Sequence, residues 1–244
     1  MNAQHIGKKF IDSVALPLRF VGLMWVIHLI QVLLNMDWGF YGLYPREVFG
    51  LRGILTAPLL HGDWAHLLSN SVPLLMMGTM ILFFYRRVAI PTFISIYLMT
   101  GLLVWLFGRS VFHIGASGLV YGLVAFVFWT GIFRRNLKSI VLSLIVVFYY
   151  GSMFLGILPG QEGISWESHL LGAVAGIIAA FWFKNSIEED ERPRKYSWEE
   201  DPRELDREYF LDRDIFEKTK EERLRETRNQ EESSQDRWHR SDFF

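Results

Sequence analysis

Cysteine is absent from this 244-residue sequence, and acidic side chains are scarce over most of its length. The lack of cysteine excludes disulfides, a thiolate nucleophile and any thiolate-held metal site. Residues 1–187 contain 6 acidic and 12 basic side chains, a balance of +6, whereas residues 188–244 contain 20 and 13, a balance of −7. A proton or ion pathway, which needs acidic side chains deep within membrane helices, is therefore disfavoured.

Long apolar runs are abundant, since 51% of the residues are hydrophobic. Six windows approach the length of about 20 residues that a spanning helix needs. They are residues 15–35, 64–85, 90–108, 116–133, 139–158 and 167–184. The sequence therefore predicts an all-α polytopic membrane protein, a bundle of six transmembrane helices. The predicted organisation is a cytoplasmic N-terminus (1–14), a membrane domain (15–185) and a charged cytoplasmic tail (186–244).

The basic side chains predict the orientation of the bundle. Most of them flank one set of helix ends, and only Arg46, Arg52 and Arg109 flank the other. By the positive-inside rule, both termini are expected in the cytoplasm. The first apolar run is too long for a signal-peptide core, so it is expected to be retained. The charged tail is interpreted as disordered or as a weakly amphipathic helix that could bind an unknown partner.

Three polar clusters lie at the predicted outer ends of the second, fourth and sixth spans. His66 and Asn70 are four residues apart and share one helix face. Ser117 lies in the first turn of the fourth span, with Tyr121 one turn below it, and His169 lies in the first turn of the sixth. Because these three spans run in the same direction, all three clusters are expected at one membrane depth.

Glycines indicate which spans touch. Gly118 and Gly122 form one pair of small residues at helical spacing, and Gly172 and Gly176 form another on the face of His169. Close contact between two such faces would bring Ser117 toward the histidine.

A serine near an imidazole is typical of acyl transfer, with His169 as general base for Ser117. His66, Asn70 and the Ser117 backbone N–H are available to stabilise an oxyanion. The relevant spans are expected to hold no acidic residue that could complete a triad, so the pattern predicts a Ser-His dyad. Taken singly, Ser117 is also compatible with a helix-packing serine and His169 with an interfacial histidine. Gly115 is compatible with a turn residue, and Gly172 with Gly176 is compatible with ordinary helix packing. His28 and His113 are expected to be hydrogen-bonded or exposed.

These motifs resemble those of the rhomboid family of intramembrane serine proteases. The resemblance covers about residues 15–185 and rests on three motifs in order. They are His61-x4-His66-x3-Asn70, Gly115-Ala-Ser-Gly118 with Tyr121, and His169-x2-Gly172-x3-Gly176. It implies a basic six-span prokaryotic type that cleaves single-span membrane proteins near the outer membrane surface. Its partners would be transmembrane substrates and membrane lipids, its setting would be the inner (plasma) membrane, and it would need no metal or cofactor. The sequence itself contains no nucleic-acid-binding motif.

By the same resemblance, Ser117 would be the nucleophile and His169 the base, with Tyr121 stacking on the imidazole. His66 and Asn70 would line the oxyanion hole with the Ser117 amide, and His61 would help to hold water.

The sequence departs from the family pattern in two places. Arg52 lies one residue further from Thr56 than the family's first-loop arginine, and Ser168 replaces a small apolar residue before the histidine. The rival hypothesis is a non-catalytic rhomboid-like protein that binds or chaperones membrane helices.

Overall fold

The structure is a computed structural model that describes residues 3–159, 165–186, 188 and 216–229. The chain divides into two units, Met1–Arg192 and Pro193–Phe244. In the part of the chain that the structure describes there is no β-strand, only an isolated antiparallel bridge between Leu43 and His113.

The first unit is built from long α-helices. They are α1 (Ala3–Leu33), α3 (Trp64–Phe84), α4 (Arg86–Phe107), α5 (Ser117–Arg134), α6 (Leu137–Tyr150) and α7 (Trp166–Trp182). The short α2 (Gly53–Thr56) lies between α1 and α3, among the 3-10 turns Gly39–Tyr41, Val48–Arg52 and Ala57–Leu59. A further 3-10 segment, Gly151–Ile157, continues α6. The long helices match the six predicted windows, and the predicted all-α membrane bundle is confirmed.

Five of these segments are long and apolar enough to cross a membrane by themselves. They are α1, α3, α4, α5 and α6 with its 3-10 continuation. The apolar helix α7 is shorter, at 17 residues, and extends about 25 Å at 1.5 Å per residue.

Two helix boundaries differ from the predicted windows. The first helix begins at Ala3 rather than near residue 15, because backbone hydrogen bonding continues through its polar first turns, which hydropathy does not detect. Its 31 residues extend about 46 Å, more than the roughly 30 Å of a bilayer's hydrocarbon core. Later in the chain, α6 changes to a 3-10 segment at Gly151, inside the predicted window 139–158.

Side-chain caps define where three helices begin. Each cap accepts a hydrogen bond from the backbone N–H three residues later, which satisfies one donor of the open first turn. The caps are Asp63 for α3, Asn136 for α6 and Ser165 for α7. Since α3 and α7 carry polar side chains in their first turns, these caps also help to position those side chains.

The loop between α1 and α3 packs against the segment that precedes α5. The guanidinium of Arg52 lies 4.1 Å from the centre of the Phe40 ring and donates to the Phe40 carbonyl oxygen at 2.7 Å. Phe112, from the segment before α5, contacts the Phe40 ring with a centroid distance of 5.7 Å. The backbone bridge between Leu43 and His113 joins the same two segments.

The helix α5 is the centre of the bundle and contacts α3, α4, α6 and α7. Its most extensive contact is with α7, where the glycines of the two helices face each other. A Cβ on Gly172 would overlap the backbone of Gly118, and a Cβ on Gly122 would lie 3.0 Å from the Gly172 carbonyl oxygen. A Cβ on Gly176 would overlap the backbone of Gly122. The two backbones are therefore in direct contact.

The described part of the tail, residues 216–229, contains a helix over residues 220–229. The Thr219 backbone N–H and hydroxyl both donate to the Glu222 carboxylate at 2.8 Å, and this carboxylate caps the helix. Leu224 is the only apolar side chain of this helix and is exposed. The rest of the predicted tail lies outside the described residues, so its structure and any partner stay predictions.

Replacing Gly172 with alanine should destabilise the protein by about 1–3 kcal/mol, because the new methyl group would overpack the α5–α7 contact. Gly22→Ala is the matched control, since no atom lies within 4 Å of the position its Cβ would take on α1. Thermal unfolding in detergent should show a lower midpoint for Gly172→Ala alone. Equal midpoints for the two variants would contradict the tight backbone contact.

Candidate active site

A cavity of about 1450 Å³ lies among α3, α5 and α7. Side chains that the sequence analysis selected from three separate segments line it together. They are His66, Asn70, Ser117, Tyr121 and His169. The structure thus brings five predicted site residues to one cavity.

Ser117 is the first residue of α5 and is half-buried at the cavity wall. Its backbone N–H belongs to the first turn, whose donors have no partner within the helix. In the described residues no hydrogen bond joins Ser117 to His169. The two side chains are related only in that both line the same cavity. Catalytic hydrogen bonds of this kind often shorten only when substrate binds.

Two contacts orient the imidazole of His169. The Tyr121 ring stacks on it, with centroids 4.1 Å apart and planes 8° from parallel. Nδ1 of His169 lies 2.9 Å from the Gly156 carbonyl oxygen. Because a carbonyl oxygen can only accept, Nδ1 donates its proton in this hydrogen bond, and Nε2 of the neutral ring keeps its lone pair. This tautomer can accept a proton at Nε2.

The 3-10 segment that follows α6 supplies these orienting acceptors. The Tyr121 hydroxyl donates to the Met153 carbonyl oxygen at 2.7 Å. A Cβ on Gly156 would overlap that hydroxyl and lie 3.2 Å from His169 Nδ1. Sequence reasoning missed both Gly156 and Met153, because a backbone carbonyl has no residue-type signature.

Gly115 allows two side-chain donors to approach the backbone just before Ser117. Its φ is +102°, in the region that favours glycine. A Cβ at this position would lie 2.5 Å from Nε2 of His66 and 3.6 Å from Nδ2 of Asn70. Asn70 Nδ2 donates one hydrogen to the His66 carbonyl oxygen at 3.0 Å, which leaves its second hydrogen for another acceptor.

His61 is buried next to His66. It is 1% exposed, and its ring meets the His66 ring edge to face, with centroids 5.0 Å apart. Neither ring nitrogen has a hydrogen-bond partner among the described residues. Burial, and secondarily the neighbouring His66, lower the pKa of His61 to about 4.

The two remaining buried histidines differ in their bonding. His113 is buried and hydrogen-bonded through both ring nitrogens, as expected. The expectation for His28 was wrong, because this ring is buried against Trp64 and its nitrogens have no partner within the described residues. Nowhere in the described part of the chain do three His, Asp or Glu side chains come together as metal ligands.

An acidic side chain does lie in the first turn of α7, so the expectation that the relevant spans hold none was wrong. Glu167 is buried, and its carboxylate forms an ion pair with Arg109. The Nδ1 proton of His169 goes to Gly156 instead. Glu167 therefore does not complete a triad with His169, and a Ser-His dyad is still predicted.

A family model described as Rhomboid domain matches residues 48–186, more than half of the chain. The chain belongs to the rhomboid family. An uncharacterized protein of Mycobacterium tuberculosis is 42% identical over 174 residues, which cover 67% of this chain and 72% of that relative. RHOMBOID-like protein 4 of Arabidopsis thaliana is 32% identical over 140 residues, 52% of this chain and 33% of the plant protein. The sequence-based assignment to the family is confirmed, and this rhomboid is an integral multi-pass membrane protein.

Replacing His61 by leucine should weaken the pH dependence of the rhomboid's stability. The folded protein keeps this imidazole neutral down to about pH 4, whereas in the unfolded chain it takes up a proton near pH 6.5. The unfolded chain therefore binds the extra proton between these values, and stability falls with falling pH by up to about 1.4 kcal/mol per pH unit.

Thermal unfolding in detergent, followed from about pH 7 to about pH 4.5, measures this effect. The midpoint should fall less for His61→Leu than for wild type. His5→Leu, at an exposed position of α1, is the control and should behave as wild type. The same slope in all three proteins would contradict a buried neutral His61.

Proposed function

We propose that this rhomboid is an intramembrane serine endopeptidase that cleaves transmembrane segments of single-span membrane proteins near the outer membrane surface. The observation that carries the proposal is the orientation of His169. Tyr121 and the Gly156 carbonyl hold its ring so that Nε2 can accept a proton, at a cavity that Ser117 also lines. Membership of a family whose members are typically intramembrane proteases supports the same activity.

The first chemical step is acylation of Ser117. His169 Nε2 accepts the hydroxyl proton while Oγ attacks the carbonyl carbon of the scissile peptide bond. The resulting oxyanion needs donors that are already in place. The Ser117 N–H, His66 and the free Asn70 hydrogen are the donors in this proposal. His169 then gives its proton to the leaving amine, and the acyl-enzyme remains.

Water completes the reaction. A water molecule attacks the acyl carbonyl carbon while His169 takes its proton. The bond to Ser117 Oγ then breaks as His169 returns that proton to Oγ, which releases the second product and restores the hydroxyl. The cavity volume of about 1450 Å³ is ample for water beside an unwound peptide segment. His61, whose ring contacts that of His66, would help to hold water near the site.

A dyad needs another means of stabilising the imidazolium that forms on His169. The Gly156 carbonyl oxygen carries a partial negative charge and accepts from Nδ1 at 2.9 Å. The stacked face of the Tyr121 ring adds a favourable interaction with a cation. These two neutral groups take the place that a carboxylate has in a triad.

The proposed setting is the plasma membrane with both termini in the cytoplasm. Basic side chains at the predicted inner helix ends outnumber those at the outer ends, which supports this orientation. Substrate spans and membrane lipids would be the partners of the bundle. A peptide bond in a helix is shielded, so cleavage requires the substrate span to unwind locally.

Ser117→Ala and His169→Ala should each lower cleavage by at least about 1000-fold without unfolding the protein. The measurement is cleavage of a single-span reporter in detergent, with a small residue near the outer border of its span. Ser69→Ala is the matched control, because Ser69 also lines the cavity but its hydroxyl donates to the His66 carbonyl oxygen.

A fluorophosphonate probe separates a wrong substrate from an inactive site. Labelling of wild type and Ser69→Ala, but not of Ser117→Ala, supports Ser117 as nucleophile even when the reporter is not cut. Neither cleavage nor labelling by wild type would overturn the protease proposal in favour of a non-catalytic protein that binds membrane helices.

His66→Ala and Asn70→Ala should each lower kcat by about tenfold or more, because each removes a donor to the oxyanion. The KM for the reporter should change less than kcat, since these donors act mainly on the transition state. Steady-state cleavage by variants with wild-type unfolding midpoints measures both constants. A rise in KM alone would assign the two side chains to substrate binding instead.

A further inference from the structure

A second polar network joins the segment before α5 to the first turn of α7. Arg109 binds Glu167 through two nitrogens, with Nε on one carboxylate oxygen and Nη2 on the other, the latter at 3.2 Å. The Glu167 side chain is 5% exposed and that of Arg109 is 58% exposed. The buried Glu167 carboxylate is therefore bound by the guanidinium of Arg109, and Arg109 lines the cavity.

A chain of hydrogen bonds through His113 makes a second connection between the same two segments. Its Nε2 lies 3.0 Å from the Arg109 carbonyl oxygen, which can only accept, so Nε2 carries the proton of the neutral ring. Nδ1 then accepts from the Ser165 hydroxyl at 2.6 Å. The Ser168 hydroxyl in turn donates to Ser165 Oγ at 2.7 Å. Ser168, which departs from the family pattern, thus has a hydrogen-bond partner in Ser165.

Both connections end on the turn that carries His169. Glu167 and Ser168 are the two residues before it, and Ser165 caps the same helix. The Ser168 carbonyl oxygen also lies against α5, 2.9 Å from where a Cβ on Gly118 would be. A shift of this turn would therefore move His169 relative to Ser117.

Neither connection touches the reacting atoms. His169 Nδ1 is bound to Gly156, and the Glu167 carboxylate is bound to Arg109. The network can therefore act only through the placement of the helix turn. We propose that Arg109, His113, Ser165, Glu167 and Ser168 form a latch that holds the first turn of α7 against α5 and so positions His169 toward Ser117. This inference rests on the proposed protease function.

Removing either residue of the ion pair should weaken the contact between the first turn of α7 and the segment before α5. Arg109→Ala leaves the buried Glu167 carboxylate without its counter-charge, and Glu167→Ala removes the anchor on α7. Each should lower kcat by about tenfold or more with little change in KM, because misplacement of a catalytic group affects the reaction more than binding. The fluorophosphonate labelling rate, which needs no peptide substrate, should fall in parallel.

Two comparisons distinguish a latch from general loss of structure. The double variant Arg109→Ala/Glu167→Ala should be no slower than the slower single variant, since both changes break one interaction. Arg46→Ala is the matched control. Arg46 donates to the Gly108 carbonyl oxygen at 2.8 Å and to the Ser110 hydroxyl at 2.7 Å, so it binds the same segment without reaching α7. It should keep kcat near wild type.

A distance measurement tests the latch independently of cleavage. The natural chain has no cysteine, so spin labels can be attached at Val111→Cys and Leu170→Cys, both exposed positions. The distribution of distances between the labels should broaden with Arg109→Ala or Glu167→Ala and stay narrow with Arg46→Ala.

Unchanged distances together with unchanged kcat in the Arg109 and Glu167 variants would overturn the latch. So would a rise in KM alone, or an equal effect of Arg46→Ala. If wild type neither cleaves nor reacts with the probe, the proposed protease function fails and the role in positioning a base fails with it. The distance distributions then still report whether the pair holds α7.

Discussion

Direct backbone contact between α5 and α7 is the constraint on which the site depends. Helices normally pack 8–10 Å apart, with side chains between them. Here the positions that meet are glycines, and a Cβ on Gly172 would overlap the backbone of Gly118. Without a hydrophobic force between helices in lipid, close packing of this kind is what holds spans together. The same contact brings the first turns of both helices, and with them Ser117 and His169, to one cavity.

The groups that directly contact the imidazole of the proposed base are neutral. A carboxylate beside His169 would be costly to bury without a partner, and the buried Glu167 is bound to Arg109 instead. The ring of Tyr121 and the carbonyl oxygen of Gly156 define the plane and the tautomer of the imidazole. Their placement depends on the 3-10 segment after α6, where a glycine lets the chain pass close to the tyrosine hydroxyl.

Much of this arrangement was predictable, and the failures have definite causes. Apolar windows found the long helices, because the bilayer requires about 20 apolar residues in a row. They missed the start of α1 at Ala3, since helical hydrogen bonds do not stop where hydropathy does. His28 was misjudged because its burial against Trp64 is a contact between two helices. Glu167 was overlooked although the sequence places it at the start of the sixth window, and only the structure shows that its partner is Arg109, 58 residues away.

The sequence by itself determined the class of protein, the family and the residue types of the candidate site. Local spacing alone places His66 with Asn70, Ser117 with Tyr121, and His169 in a first turn, because a helix repeats every 3.6 residues. Only the tertiary structure decided which backbone carbonyl binds His169 and which side chains join α7 to the segment before α5. Such contacts depend on distances between segments far apart in the chain, and a carbonyl oxygen is the same atom in every residue.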